Sequence, residues 1–554
     1  MNILGKIKYI SLFAVMVGFS ACDGYVEEEN FTNLTGETYL TEDNADQLVV
    51  GVYQSLRDIY KDYDIAFYGT DIFTSTKKID EIHSLNEYFD INASDESISK
   101  HWKHNYEMIA NANVVIDRFE EISWSDSKLS EKAYGIAQAK GLRALAYYNL
   151  VQQFGGVVLE LKESKTIKDD YERSTEEECF VQIIKDFEEA IPVLVNDTDF
   201  GRLSKKAAQH ILADVYMTRS YKSFAGSDDE KMAYELAEAS IGTYDIRSQS
   251  FEQVFSYDNQ ENNEILFSVQ YGDGGEYEDR DNNKHVLFRY KLQDFAGISR
   301  QTSYAVGGKG SRPSQYLYTL FADNDTRDAV TFHRALLADE ESAYESDNGS
   351  EVINPGDTVV YFPMNMLPDV ELANGLNKYW VFQPDEYFFD EKVDVDGVLY
   401  QYSNRNIKYP FPIFKKFDDE NFIESEDGGG GHRDTYVYRV SETHLLAAEA
   451  YLKAGNQSKA LEHINIVRER ATGDANHYTS ITLDDILNER AVELAGEENR
   501  WNILKRTGKL EERINLYNAH VMHHGKFDSH NLLRPIPEHE IFLSNGALKQ
   551  NPGY

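Results

Sequence analysis

Two cysteines in 554 residues, four tryptophans, and 55 basic side chains against 95 acidic ones set the first limits on this chain. With cysteine only at positions 22 and 179, a disulfide framework is excluded and the fold must be held by its core. A net charge of −40 rules out the basic patches that nucleic acid requires and disfavours polyanionic ligands, while leaving neutral ligands untouched. No apolar run reaches the ~20 residues that a bilayer-spanning helix needs. What is abundant is tyrosine, with 37 copies, and phenylalanine, with 29. A tyrosine offers a flat apolar face and a polar tip, and loses little entropy when fixed. Sugars offer a flat C–H face rimmed with hydroxyls. A Tyr-rich, acid-rich exterior therefore suits uncharged carbohydrate, although core packing is the plainer explanation for any single ring.

Residues 1–21 read as a processing signal. Lys6 and Lys8 precede an apolar run from Ile10 to Phe19, and the small residues Ser20 and Ala21 lead into Cys22. That placement fits a lipobox, with cleavage before Cys22 and lipidation of its thiol. Phe19 stands where an aliphatic residue is usual. The alternative is an ordinary signal peptide cut after Ala21. Each buried acyl methylene is worth ~0.8 kcal/mol, so the lipid would anchor the chain without a transmembrane helix. Asp23 and Glu27 to Glu29 make residues 22–40 an acidic, solvated tether.

From residue 41 to 249 the pattern is helical. Thr41 can cap a helix over 41–62 carrying Leu48, Val52, Leu56 and Ile59. Residues 63–98 are mixed and aromatic-rich. In Trp102 to Phe119, the residues Trp102, Tyr106, Ile109, Asn113 and Ile116 share a face. A long helix from Ser130 stops at Gly155-Gly156. Helices over Thr175 to Val195, Ser204 to Thr218 and Met232 to Ile241 follow, with small residues such as Ala207, Ala208 and Ala213 allowing close approach. The texture is that of tetratricopeptide-like pairs without a strict 34-residue period. Across 250–435 periodicity fades into a loop-rich insertion, with Phe251 to Phe255 and Glu264 to Gln270 as short strands or extended pieces and glycine loops at 307–310 and 428–431. Irregular insertions of this kind are where binding surfaces tend to sit. From 436 to 554 helices return: Ser441 to Leu452, a turn at Gly455-Asn456, a facing helix with Ala460, Ile464 and Val467, then Asp484 to Leu494 and Trp501 to Leu504.

Four segments carry a family resemblance. They are Arg143 to Val157; Arg439-Val440-Ser441-Glu442 with Ala448 to Leu452; Asn488 to Leu494 with Glu498-Asn499-Arg500-Trp501; and Leu533-Arg534-Pro535-Ile536-Pro537-Glu538 running on to Asn551-Pro552-Gly553-Tyr554. In order and spacing the chain resembles the SusD/RagB family of outer-membrane nutrient-binding lipoproteins. Val158 and Ala495 depart from the family pattern, which touches local packing only. The resemblance implies a mainly α fold: a tetratricopeptide-like helix-pair scaffold, a long irregular insertion and few short strands. It implies a cell-surface, lipid-anchored protein that binds an oligo- or polysaccharide without catalysis and delivers it to a SusC-type TonB-dependent transporter. A RagB-like peptide-capturing role is the alternative within the family, and a surface glycoside hydrolase the alternative outside it.

The family's glycan binders place sugar-stacking rings in the N-terminal loops and the central insertion. On that basis Tyr63, Phe67, Tyr68, Tyr88, Trp102, Tyr290, Tyr304 and Trp380 are the candidate rings, with Asp71, Asn86 and Arg312 as hydrogen-bonding partners. Trp102 lies on a helical face and has core packing as its stronger reading. No catalytic constellation stands out. Glu489 and Glu493 share a helix face, and paired carboxylates ~5–9 Å apart are what glycoside hydrolysis uses, but Arg490 and Arg500 nearby favour an ion-pair lattice. His520, His523, His524 and His530 lack the arrangement of a metal site and read as a solvated loop. No cofactor is expected. Asp323-Asn324-Asp325 and Asp394 to Gly397 offer oxygens for a structural calcium ion, though neither continues into an EF-hand loop.

Overall fold

A computed structural model describes residues 40–554 apart from 62–63, 77–81, 167–170, 273–281, 291, 293–294, 300–309, 347–348, 388–392, 396–397, 401–409, 421, 423–429 and 498. The signal segment, Cys22, Tyr63, Tyr304 and the side chains of Asp394 to Gly397 lie outside the described residues.

The fold is mainly helical. Helices α1 (Asp46–Lys61), α2 (Glu96–Glu121), α3 (Leu129–Phe154), α4 (Glu176–Ala190), α5 (Lys205–Arg219) and α6 (Asp229–Ile241) form the N-terminal scaffold. Helices α7 (Val440–Lys453), α8 (Gln457–Thr472), α9 (Leu483–Glu493), α10 (Arg500–Arg506) and α11 (Leu510–Tyr517) complete it. Successive helices pack in pairs, α2 on α3, α3 on α4, α5 on α6 and α7 on α8, and α6 on α7 joins the two halves. Local chemistry sets the starts. Asp95 accepts from the Ile98 N–H, Ser204 accepts from the Ala207 N–H, and Thr175 forms a reciprocal capping box with Glu178. Gly155, at φ 72°, ends α3. Helix contacts are close enough that a Cβ at Gly135 would sit 2.4 Å from the Phe119 ring.

Strands are short. β1 (Phe73–Ser75) pairs antiparallel with β3 (Ser311–Pro313), and β2 (Ile265–Val269) with β11 (Thr435–Arg439). β4 (Ala335–Leu337), β7 (Thr358–Tyr361) and β8 (Trp380–Val381) form one sheet. β5 (Ser342–Ser346) with β6 (Gly349–Ile353), and β9 (Val393–Val395) with β10 (Val398–Tyr400), are two-stranded. Apolar side chains gather in two clusters. One is built from the scaffold helices, and the second from insertion residues such as Phe288, Phe332, Phe362 and Phe414.

Three expectations change. Thr41 is not the cap of α1, which begins at Asp46 after a turn closed by a Thr41 N–H to Asn44 bond. Phe251 to Val254 is a helical turn, not a strand, because Ser250 and Gln253 form a capping box. His520 is a buried ring rather than part of a solvated loop: its Nδ1 meets Glu87 Oε1 at 3.1 Å and its Nε2 meets the Arg312 guanidinium at 3.2 Å. His523 is exposed and His524 and His530 are half-buried.

A buried ion-pair lattice ties the insertion to the C-terminal helices. Arg327 donates to Asp325, Glu489 and Glu493 at 2.7–3.0 Å. Arg439 reaches Glu264, Glu493 and Glu497, and Arg470 reaches Glu264 and Glu493. Glu493 is 0% exposed. Burial would raise its pKa, but the guanidiniums of Arg470, Arg439 and Arg327 outweigh that and hold it well below the usual carboxylate range. Asp325 is also filled by Arg468. Its oxygens are therefore committed to guanidiniums, which corrects the expectation that Asp323 to Asp325 suits calcium.

Candidate functional site

The zip of β1 onto β3 sets Thr74 opposite Arg312, bringing the N-terminal loops and the insertion together. Most of the expected ligand residues lie here, and they are buried. Phe67 packs on Phe73 at 4.9 Å between ring centroids. The Tyr68 ring lies on that of His83 at 4.0 Å. Asp71 is 0% exposed and accepts from Arg500 and Arg513 at 2.7–2.9 Å. Burial would raise its pKa, but the two guanidiniums bring it below the usual range. Asn86 accepts from the Gly69 N–H and donates to Thr74 Oγ1. Tyr88 accepts from Trp501 Nε1 at 3.1 Å. With Arg312 against His520, these residues form a frame. Asp71, Asn86, Tyr88 and Arg312 each bond a buried neighbour, Arg500 and Arg513, Thr74, Trp501 and His520 respectively, and an unpaired group in so dry a place would cost ~1–3 kcal/mol. The assignment of Phe67, Tyr68, Asp71, Asn86, Tyr88 and Arg312 to an exposed sugar face is therefore corrected: they hold the loops that emerge beside them. Tyr290 and Trp380 are half-buried and share Phe295 as a neighbour, at 6.3 and 6.4 Å.

Phe67 lines a small central cavity, and Trp102, with only 3% of its surface exposed, lines a larger one. Helix α2 presents Trp102, Tyr106, Ala110 and Asn113 on one side, spaced by three or four residues as the helical repeat requires. The segment after Gly155-Gly156 faces them and supplies Glu160, Lys162 and Ser164, with Tyr171 beyond. A Cβ on Gly156 would fall 2.1 Å from the Ser174 carbonyl oxygen, so glycine is what lets this segment fold back. Glu540 and Leu548 close the far wall of a cavity of about 250 Å³.

Its groups are held in place. The Tyr106 hydroxyl donates to the Val158 carbonyl and accepts from its N–H, both at 3.0 Å. The Trp102 ring rests on Tyr106 at 4.9 Å and edge-on against Phe154 at 5.0 Å. Asn113 donates to the Glu160 carbonyl and accepts from Arg143, whose other side is paired with Asp186. Lys162, exposed at the rim, pairs with Asp117 at 2.8 Å. A cavity whose Trp102 and Tyr106 rings are already held can receive a sugar ring with little ordering cost. The sequence marked Tyr106 and Asn113 as sharing the Trp102 face but read that face as packing. The signal available was Asn113, a polar residue on an apolar stripe.

A central cavity of about 110 Å³, touched by His101, Asp214 and Lys284, has room for water but little more. Burial pushes the Lys284 ammonium down to about 7. The Glu489–Glu493 pair opens onto no cleft, since both carboxylates are within 1% of complete burial.

A model described as the SusD family matches residues 263–554. The chain belongs to the SusD family. A second model, described as starch-binding associating with outer membrane, matches residues 24–217. A SusD-like protein of Bacteroides ovatus is 26% identical over 90% of this chain and 82% of its own length. SusD-like protein P25 of Formosa agariphila is 26% identical over 99% of this chain and 100% of its own length. Among solved structures, a laminarin binding SusD-like protein superposes with a TM-score of 0.64 at 21% identity, covering 93% of this chain and 100% of that one. Surface glycan-binding protein A from Bacteroides thetaiotaomicron, in complex with laminarihexaose, gives 0.65 at 19% identity, covering 92% and 100%. At these identities the solved structures establish the SusD fold.

Proposed function

We propose that this chain captures an uncharged oligo- or polysaccharide at the surface of a bacterial outer membrane and hands it, uncut, to a SusC-type TonB-dependent transporter. The observation that carries the reading is the cavity lined by the half-buried Tyr106, Tyr171 and Glu160, with Trp102 and Asn113 buried behind them. Membership of the SusD family supports it, as do the relatives named for laminarin and laminarihexaose. The commitment of Glu489 and Glu493 to arginines supports binding without hydrolysis. Calorimetric titration with laminarihexaose and a xylogluco-oligosaccharide tests the reading. At least one is expected to bind, and Tyr171→Ala to weaken it at least about tenfold, the ~1.4 kcal/mol typical of truncating an aromatic anchor. Binding of neither, or the same affinity in the variant, overturns the assignment of this site.

Anchoring has its own test. Cells fed labelled palmitate are expected to label the chain, and Cys22→Ser to abolish the label. Mild detergent is expected to release the labelled chain together with a barrel of the TonB-dependent class. An unlabelled wild-type chain rules out the lipid anchor, and its release without the barrel rules out the transporter partnership.

A further inference from the structure

A second groove lies on another side of the scaffold. Helix α1 forms one wall with Val50, Tyr53, Gln54 and Arg57, and the loop at 200–202 and the end of β2 form the others. Its volume is about 380 Å³, larger than the Trp102 cavity and within the ~300–1,000 Å³ of ordinary ligand sites. The two share no residue.

The groove is built rather than incidental. The Tyr53 hydroxyl accepts from the Leu203 N–H and donates to Gln138, both at 2.8 Å, so the ring cannot swing away. The Arg202 guanidinium sits over that ring, 5.7 Å from its centre, and is itself gripped at two points by Asp46. Arg57 donates through Nε to the Gln270 carbonyl at 2.8 Å and lies over the Tyr271 ring. The Gln270 amide is tied to Ser268 and Asp434. Gln54 stands exposed at the rim and the Phe200 ring is half-buried beside it. A Cβ on Gly201 would fall 2.4 Å from the Gln270 side chain, so this glycine keeps the loop close against the strand end.

We infer that this groove is a second binding site for the same class of ligand, a neutral hydroxyl-rich oligosaccharide segment. The exposed Gln54 amide at the rim suits sugar hydroxyls, and Tyr53 and Phe200 supply apolar faces for the C–H side. Asp46 already neutralises Arg202, which favours an uncharged sugar over an acidic one. Two sites on one rigid scaffold hold a long chain far more tightly than either alone, because the second contact forms at high local concentration.

The inference rests on the proposed glycan binding, and stoichiometry separates the two. Titrated with laminarihexaose or a xylogluco-oligosaccharide, the wild-type chain is expected to bind two per chain. The double variant Gln54→Ala/Phe200→Ala is expected to bind one, and Tyr171→Ala to retain the groove's one. In native gels containing laminarin or xyloglucan, Gln54→Ala/Phe200→Ala is expected to lose at least about tenfold in apparent affinity. Both variants change half-exposed or exposed groups, and an unchanged melting temperature confirms that they fold. One equivalent in wild type, unaltered by Gln54→Ala/Phe200→Ala, overturns this site and leaves the function standing. Two equivalents that persist in that variant also overturn it, and no binding of either sugar overturns both readings. Binding in the groove of oligogalacturonate, with no binding of the neutral sugars there, overturns the assigned chemistry.

Discussion

Glu493→Ala is expected to leave no stably folded protein at 37 °C. The carboxylate is fully buried and receives Arg327, Arg439 and Arg470. Its removal takes one partner from each of three buried guanidiniums at once, leaving Arg327 on Asp325 and Glu489, Arg439 on Glu264 and Glu497, and Arg470 on Glu264. Breaking a single buried pair in this way costs ~3–5 kcal/mol. A whole domain has about 5–15 kcal/mol in hand. Circular dichroism and soluble yield measure the outcome. Glu493→Gln keeps the shape and part of the hydrogen bonding, so it should melt between wild type and alanine. A catalytic carboxylate predicts the reverse: a normal melting temperature with lost product release from polysaccharide. A Glu493→Ala protein that melts like wild type sinks the lattice as described.

Acid comes next in size. The melting temperature is expected to drop steeply between pH 6.5 and 4. Burial pushes the His444 ring down to about 3, with His463 and Arg470 adding to it, and burial pushes His210 and His101 down to about 4. In the unfolded chain each titrates near its ordinary 6.5. Below that pH the unfolded chain takes up protons that the folded rings refuse, so stability present above pH 6.5 is lost as pH falls. Each ring contributes ~1.4 kcal/mol per pH unit, about 4 for the three together. Asp434 works against them, since burial lifts its carboxyl to about 6 and the folded state gains by protonating it. Burial also raises Asp64, and it lowers His463 and His520, so the groups that lose stability in acid outnumber those that gain it and the net direction stands. Carboxyls held low, such as Asp71 and Glu493, add to the loss only below about pH 4. His444 stands 3.0 Å from His463 across α7 and α8, and His444→Gln is expected to remove about a third of the slope. A flat profile from pH 6.5 to 4.5 contradicts the assignment.

The scaffold was readable because helical periodicity is a local property. Leu48, Val52, Leu56 and Ile59 mark α1 wherever it packs, and Gly155 marks the end of α3. The insertion was not readable in the same way. An aromatic residue in an irregular segment carries no sign of which way it faces. Phe67 turned inward, into the insertion's cluster of phenylalanines. The frame around Asp71 depends on Arg500 and Arg513, more than four hundred positions away, and no spacing rule reaches that far. The groove has the same difficulty, since Tyr53, Arg202 and Gln270 come from three separate stretches. Glu489 and Glu493 were legible as members of an ion-pair lattice, but the nearby Arg490 and Arg500 pair instead with Glu442 and Asp71. Arg327, their principal partner, gave no local clue.

The end of α3 is closed from very far downstream. Asn551 donates to the Phe154 carbonyl across a separation of 397 residues, and Arg173 bonds Phe154, Gly156, Lys549 and Asn551 together. A ribosome finishes α3 long before it makes Asn551. Through that whole interval the Phe154 carbonyl has Arg173 within reach but lacks its Asn551 donor. The seating of residues 549–551 on Phe154 is therefore a late event in folding, one that joins the first-made helices to a far later segment.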